Sequence, residues 1–190
     1  MSGWVRWGGK RAFDIFLAGF GLLLFSLPMV WIAWRIRRES GYPSLFRQIR
    51  IGRNGAEFKI IKFRTMSEKG QVSPFCAKLR STAMDELPQL FHILKGEMSF
   101  VGPRPLIPEE LRELKKVPGG ERRLKVRPGL TGLAQINSPK IPSLQERLQW
   151  DLAYIDQCSW WLDLQTLFKS LIVTAHGKWE GHSLKMPETF

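Results

Sequence analysis

Residues 12–34 read AFDIFLAGFGLLLFSLPMVWIAW, and how this stretch is placed decides the fold. Arg6, Lys10 and Arg11 precede it, and Arg35, Arg37 and Arg38 follow it. A spanning helix needs about 20 apolar residues at roughly 1.5 Å each, and the segment just reaches that length. Lys and Arg favour the cytoplasmic side of a membrane, so a simple span would carry one basic cluster across. A break at Pro28 lets both clusters stay on one side, facing anionic headgroups. Proline lacks the N–H of an unbroken helix, and its ring crowds the carbonyl four residues back. Ser26 is placed to satisfy a carbonyl freed by such a break. The expectation is therefore a re-entrant helix broken near Pro28, with a proline-kinked span as the rival. Trp31 to Arg38 offers no small-residue cleavage site, which argues against a signal peptide. Trp4, Trp7, Trp31 and Trp34 bracket the segment as interfacial aromatics do, which argues against a soluble core helix.

The 190 residues suit one domain plus this membrane element, divided as 1–38 and 39–190. A net charge of +12 points to polyanionic partners: nucleic acid, an acidic membrane or phosphorylated small molecules. The apolar segment favours anionic phospholipid and phosphate, and the dispersed basic residues argue against a nucleic-acid arm. Cys76 and Cys158 lie far apart without CxxC spacing, so neither a zinc site nor a disulfide framework is indicated. His92, His176 and His182 form no HExxH pattern and read as surface or packing residues.

Beyond the membrane segment, Glu39 to Ser44 is a turn-rich connector. Residues 45–64 read as two short strands around Asn54-Gly55, both of which tolerate positive φ. Residues 67–77 read as a loop, with helix over Lys78 to Ala83. A short helix is expected from Asp85, taken as its N-cap, through Leu94 to a stop at Gly96; Pro88 fits its first turn. Residues 99–108 and 127–139 read as irregular loops. Another short helix starts at Pro108-Glu109-Glu110 and ends before Pro118-Gly119-Gly120. Helices at about 143–156 and 159–176 close the chain. The last carries Trp160, Trp161, Leu164, Leu167, Phe168, Leu171 and Ile172 as an apolar stripe, partly core and partly headgroup-facing. The fold class is α+β, a small cytoplasmic domain of short strands and interfacial helices behind the membrane helix.

Chemistry concentrates in Arg80, Asp85-Glu86-Leu87-Pro88-Gln89 and Gly102-Pro103-Arg104-Pro105. Adjacent carboxylates at a helix start can hold a hard cation such as Mg2+ or supply a nucleophile, although a simple cap is their default reading. Helix N-terminal N–H groups also favour anions such as a diphosphate. Arg104, confined between two prolines, is a fork-shaped donor suited to phosphate, or else a cap on a nearby helix C-terminus. Lys62 and Arg64 are either substrate-binding cations or one solvated strand face. Thr131, Gln135 and Asn137 shape a loop, with Gln135 able to touch a nucleotide.

An ordered set of motifs sharpens this reading. It comprises Lys10-Arg11-Ala12-Phe13-Asp14, Phe46-Arg47-Gln48, Lys62-Phe63-Arg64-Thr65-Met66, Asp85-Glu86-Leu87-Pro88-Gln89-Leu90, Leu94-Lys95-Gly96-Glu97-Met98-Ser99, Val101-Gly102-Pro103-Arg104-Pro105 and Arg127-Pro128-Gly129-Leu130-Thr131-Gly132. Together they resemble the bacterial sugar transferase family, the monotopic phosphoglycosyl transferases, from about Lys10 to Gly177. The chain is similar to the small members, which are little more than re-entrant helix and catalytic domain.

The resemblance implies transfer of a sugar-1-phosphate from a UDP-sugar to membrane polyprenyl phosphate, the initiating step of glycoconjugate or exopolysaccharide assembly. It implies Asp85 as the nucleophile that expels UMP through a covalent phosphosugar intermediate, and Glu86 as its partner in handling protons or metal. It further implies Mg2+ as cofactor on Asp85 and Glu86, phosphate-binding roles for Lys62, Arg80 and Arg104, and Pro28 as the helix breaker. The expected location is the cytoplasmic face of the bacterial inner membrane; a homo-oligomer is left open and nucleic acid is not expected. Two features depart from the family pattern. Leu27 separates Ser26 from Pro28, and the stretch from Met66 to Asp85 is short. The competing reading is a non-enzymatic membrane-anchored module that binds anionic lipid or nucleic acid, in which Asp85 has no special role.

Overall fold

The apolar stretch forms one helix, α1 (Gly9–Ser40), in a computed structural model that describes residues 8–67, 70–137 and 143–175. Trp4, Arg6, Trp7, His176 and His182 lie outside the described residues. At 1.5 Å per residue α1 is roughly 48 Å long. It ends at Gly41, whose φ of 70° is the left-handed conformation that glycine tolerates and whose N–H donates to the Arg37 carbonyl. The expected break at Pro28 is not found; the helix runs through the proline without interruption. Ser26 Oγ donates to the Leu23 carbonyl at 2.9 Å, an ordinary back-bond, while the carbonyl opposite the proline is that of Leu24. The physical reason lies in packing. Asp14, Ala18, Ile32 and Ile36 are buried, and Gly21, Leu22, Phe25, Pro28 and Met29 are half-buried between them. That helical stripe seats one face of α1 on the rest of the protein before and after the proline, which outweighs one missing hydrogen bond.

After α1 come β1 (Leu45–Ile51) and β2 (Glu57–Phe63), an antiparallel hairpin that pairs Leu45 with Phe63 and Ile51 with Glu57. Its turn places Asn54 at φ 56° and Gly55 at φ 79°, as the Asn-Gly pair foretells. Helix α2 (Pro74–Ser81) follows, capped by Ser73, whose hydroxyl accepts from the Cys76 N–H; it starts earlier than the sequence suggests. A 3-10 turn over Met84–Gln89 leads into α3 (Leu90–Lys95), which stops at Gly96. Then come β3 (Ser99–Val101), α4 (Pro108–Leu114), a 3-10 segment over Gly120–Lys125, β4 (Gly129–Thr131) and α5 (Leu133–Asn137). The chain closes with α6 (Leu144–Gln157), which opens on a Ser143–Glu146 capping box, and α7 (Trp160–Ala175).

Two segments read as irregular thus contain short regular pieces. Strand β3 pairs in parallel with β4, Ser99 opposite Gly129 and Val101 opposite Thr131. Three glycines permit the approach. A β-carbon on Gly129 would lie 2.2 Å from the Gly102 nitrogen, and one on Gly132 would lie 2.2 Å from the Gly102 oxygen.

Helix α1 is built into the core. Ala18 packs with Phe58, Ile60, Leu90, Ile93, Met98 and Phe100, while Ile32 and Ile36 pack with Phe63, Cys76 and Leu79. Its first turns also carry polar anchors. Asp14 accepts from Ser99 Oγ at 3.0 Å and the Phe100 N–H at 3.1 Å, and Arg11 donates to the Ile93 and Leu94 carbonyls that end α3. Lys10 pairs with Asp163 of α7 at 2.7 Å, and Tyr154 of α6 donates to that same aspartate at 2.8 Å. Helix α7 is inverted relative to a soluble helix. Asp163, Thr166 and Ser170 face inward, whereas Trp161, Phe168 and Leu171 are about 65% exposed. The outer face of α1 is also apolar, with Phe16, Phe20, Leu23, Leu24 and Leu27 exposed. Phe13 of α1 meets Trp160 of α7 edge to face at 5.2 Å, joining the two apolar surfaces.

His92 is a packing residue. The Ile61 N–H donates to its Nε2 at 3.1 Å, and Nδ1 lies 2.6 Å from Glu97. An acceptor at Nε2 leaves Nδ1 to donate to Glu97. The glycine crossing gives a direct test. Gly132→Ala should cost about 2 kcal/mol as an overpacking change, whereas Gly19→Ala, inside α1 with nothing within 4 Å of the added carbon, should raise stability by up to about 1 kcal/mol. Thermal unfolding in detergent micelles reads both.

Candidate active site

The dyad is set by an unusual residue just before it. Ala83 adopts φ 53°, a left-handed conformation that costs an alanine about 1–2 kcal/mol. It caps the 3-10 turn in place of the expected Asp85, which instead lies inside the first turn. Pro88, Gln89 and Leu90 are buried behind the turn, and this packing fixes the two carboxylates on the wall of an open cleft of about 330 Å³. That size lies within the usual range for small-molecule sites.

Several elements contribute to the cleft. Strand β2 brings Lys62, the end of α2 brings Arg80, and the turn brings Ala83, Asp85, Glu86 and Leu87. The loop after β3 brings Arg104, β4 brings Leu130 and Thr131, α5 brings Gln135, and α7 brings Leu167. Lys62, Arg80, Asp85, Glu86, Arg104 and Gln135, distant in sequence, therefore share one site. Arg64 does not belong to it. Strand β2 ends at Phe63, and the Arg64 guanidinium donates to the Pro43 carbonyl at 3.1 Å beside a separate depression next to Glu39 and Ser73. Alternation places Lys62 and Arg64 on one face only while the strand continues, and it stops between them. Ser26 and Pro28 lie on α1, away from the cleft. Thr65, Phe100 and Leu167 line the cleft without having been singled out as site residues. The apolar stripe of the last helix marked Leu167 and the motif over residues 62–66 contained Thr65, but nothing local marked Phe100.

Asp85 is only 8% exposed. Burial pushes its carboxyl up to about 6, the Glu86 charge adds to that rise, and Lys62 and Arg80 oppose it. Among the described residues no group of three or more His, Cys, Asp or Glu side chains converges. The donor set at the cleft is the carboxylate pair of Asp85 and Glu86. It fits Mg2+, which is commonly held by one or two carboxylates, with phosphate oxygens and water completing the shell. Gln135 holds its loop by donating to the Leu130 carbonyl at 3.1 Å. Chemically the cleft holds a buried carboxylate, Asp85, and a half-buried one, Glu86, together with three cations, an arrangement suited to a phosphorylated ligand.

The sequence model of the bacterial sugar transferases matches residues 5–177. A UDP-glucose:undecaprenyl-phosphate glucose-1-phosphate transferase of Klebsiella pneumoniae is 38% identical over 180 residues, spanning 84% of this chain and 38% of that protein. The sugar transferase EpsL of Bacillus subtilis is 38% identical over 169 residues, covering 83% of each chain. The exopolysaccharide production protein ExoY of Rhizobium meliloti is 36% identical over 190 residues, covering 85% of this chain and 83% of that one. The chain thus spans well under half of the first relative and most of the other two.

The electrostatics are testable in the metal-free protein. Asp85 should titrate near 6 by carbon-13 NMR, lower in Glu86→Gln and higher in Lys62→Met. Because the folded value lies above the unfolded 3.8, the folded state binds more protons between the two. Stability therefore falls as pH rises from about 4 to 6. Asp85→Asn should remove that fall and stabilise the metal-free protein at neutral pH by up to about 3 kcal/mol.

Proposed function

The chain belongs to the bacterial sugar transferase family, and from that membership we propose that it transfers a sugar-1-phosphate from a UDP-sugar to a membrane polyprenyl phosphate. The observation that carries this reading is Asp85, nearly dry on the cleft wall and sharing the cleft with Lys62, Arg80 and Arg104 from three separate elements. In the first step an Asp85 carboxylate oxygen attacks the sugar-bearing phosphorus. An Asp85–phosphorus bond forms, the anhydride bond to the nucleotide breaks, and UMP leaves with its electron pair. In the second step a phosphate oxygen of the polyprenyl acceptor attacks the same phosphorus. The Asp85 bond breaks, polyprenyl diphosphate sugar departs, and the free carboxylate is restored.

A carboxylate attacking a diphosphate works against charge repulsion. Lys62, Arg80 and Arg104 offset it, and their directed donors are most effective in a partly desolvated cleft. Asp85 and Glu86 would hold Mg2+, which supplies further charge neutralisation on the phosphates. Burial strips water from Asp85 and so favours its attack. Gln135 is placed to meet the nucleotide or sugar. The initiating step of exopolysaccharide or other glycoconjugate assembly is the role that fits this reaction.

Membrane association follows from the outward apolar faces of α1 and α7. The contacts of α1 support a helix whose two ends stay on one side of the membrane over a span. Arg11 and Lys10 near one end and Ile36 and Glu39 near the other all touch the same small domain. A span would draw that charged domain through the lipid, at several kcal/mol per charged residue. The cytoplasmic leaflet of the inner membrane, where anionic lipid meets the basic surface, is the expected location.

Purified protein incubated with Mg2+, a panel of UDP-sugars and polyprenyl phosphate should release UMP. Asp85→Asn should reduce release to below about one-thousandth, and donor-treated protein should carry a phosphosugar on residue 85 by mass spectrometry. No release with any donor, or undiminished release from Asp85→Asn, refutes the proposal. Topology is checked separately. Cysteines at positions 8 and 40 should both react with a membrane-impermeant reagent from the cytoplasmic side only, whereas reaction from opposite sides would identify a span.

A further inference from the structure

Three consecutive carbonyls in the loop bearing Arg104 are each held from elsewhere in the chain. Pro103 O accepts from the Gly129 N–H at 2.9 Å, Arg104 O from Arg123 Nη2 at 2.9 Å, and Pro105 O from Arg50 Nη1 at 3.1 Å. Prolines at 103 and 105 have no N–H, so the loop has little means of ordering itself. Its backbone is buried at Gly102, Pro103, Pro105 and Leu106, yet the Arg104 side chain is exposed at the cleft. Where that guanidinium points is therefore decided by the hold on its backbone.

Arg123 is 3% exposed, and its Nη2 lies 2.7 Å from Asp151 of α6, also 3% exposed. Such a buried pair often contributes less to stability than apolar residues of similar volume. What it supplies here is a single charged donor, Nη2, lodged between the Asp151 carboxylate and one carbonyl. We propose that Arg123, fixed by Asp151, is a positioning residue for the transfer reaction: it sets the Arg104 carbonyl and thereby aims the Arg104 guanidinium at the donor phosphates. Arg50, which also bonds Gln48 Oε1 at 2.8 Å, holds the next carbonyl. The role given to Arg104 rests on the transferase reading above; the hold on its backbone does not.

The test is a double-mutant cycle on the full chain. Arg123→Met combined with Asp151→Leu removes the pair while filling its space. Turnover should fall by about ten- to a hundredfold, the range expected when a binding group is displaced by about 1 Å. Adding this change to Arg104→Ala should cost nothing further, whereas adding it to Lys62→Ala should multiply the two losses. A general loss of structure would not single out Arg104 in this way. Arg123→Lys, which keeps a charge opposite Asp151, should show the same pattern if the double replacement folds poorly. Amide exchange in peptides covering 102–106 should quicken in either variant. Losses that multiply with Arg104→Ala, undiminished turnover, or unchanged exchange would each overturn the inference. If the unaltered protein shows no turnover with any donor, the transferase reading fails, and the exchange measurement still decides whether Arg123 holds the loop.

Discussion

The seating of α1 along its whole length is the contact on which the rest depends. A helix this apolar has no stable place in water, yet one of its faces closes two of the protein's core clusters through Ala18, Ile32 and Ile36. At about 1.5–3 kcal/mol for each fully buried aliphatic side chain, that face is a substantial part of a stability that rarely exceeds 15 kcal/mol. Asp14 then reaches into β3 and Arg11 onto the end of α3. The membrane element and the elements that carry the dyad are thus one packed body, and a shift of the helix in the bilayer would be felt at the cleft.

Charge organises the second level. Cations from β2, α2 and the loop after β3 converge on a carboxylate pair that none of them adjoins in sequence. Three cations face two carboxylates there, so the cleft carries an excess of positive charge that a phosphate group would balance. Strain at Ala83 and the glycine crossing of β3 and β4 are local costs accepted to bring those groups together.

Local chemistry was legible in the sequence, and distant chemistry was legible only in part. Asn54-Gly55 announced the hairpin because two positive φ values are written into those two residues. The helical patterns at about 143–156 and 159–176 likewise match α6 and α7. Strands β3 and β4 left no such mark. Each is three residues long, and their pairing joins positions thirty residues apart across proline-rich loops. The left-handed Ala83 has no signature either, so Asp85 read as a cap. Lys62 and Arg64 looked equivalent by alternation until the strand ended between them. Of the cleft-lining residues singled out in the sequence, Lys62, Asp85, Glu86 and Arg104 sit in motifs distinctive as an ordered set, while Arg80 and Gln135 lie outside them; Phe100 reaches the cleft through tertiary packing alone.

Helix α7 shows how one element can serve two solvents. Its inward face is polar, with Asp163 taking hydrogen bonds from Lys10 and Tyr154, while its outward face is aromatic and aliphatic. A helix of this kind would be misfolded in water, because it buries what water solvates and exposes what water excludes. It is correctly folded only where an apolar medium meets its outer face. Leu167, one position before the exposed Phe168, lines the wall of the cleft. The wall of the site and the outward apolar surface are therefore two sides of a single helix, about 10 Å across. Under the proposed reaction, a lipid-borne phosphate has to rise only that distance to reach Asp85, with its hydrocarbon still in the bilayer. The inverted face of α7 and the place of the dyad then answer the same requirement: one carboxylate reachable from water on one side and from lipid on the other.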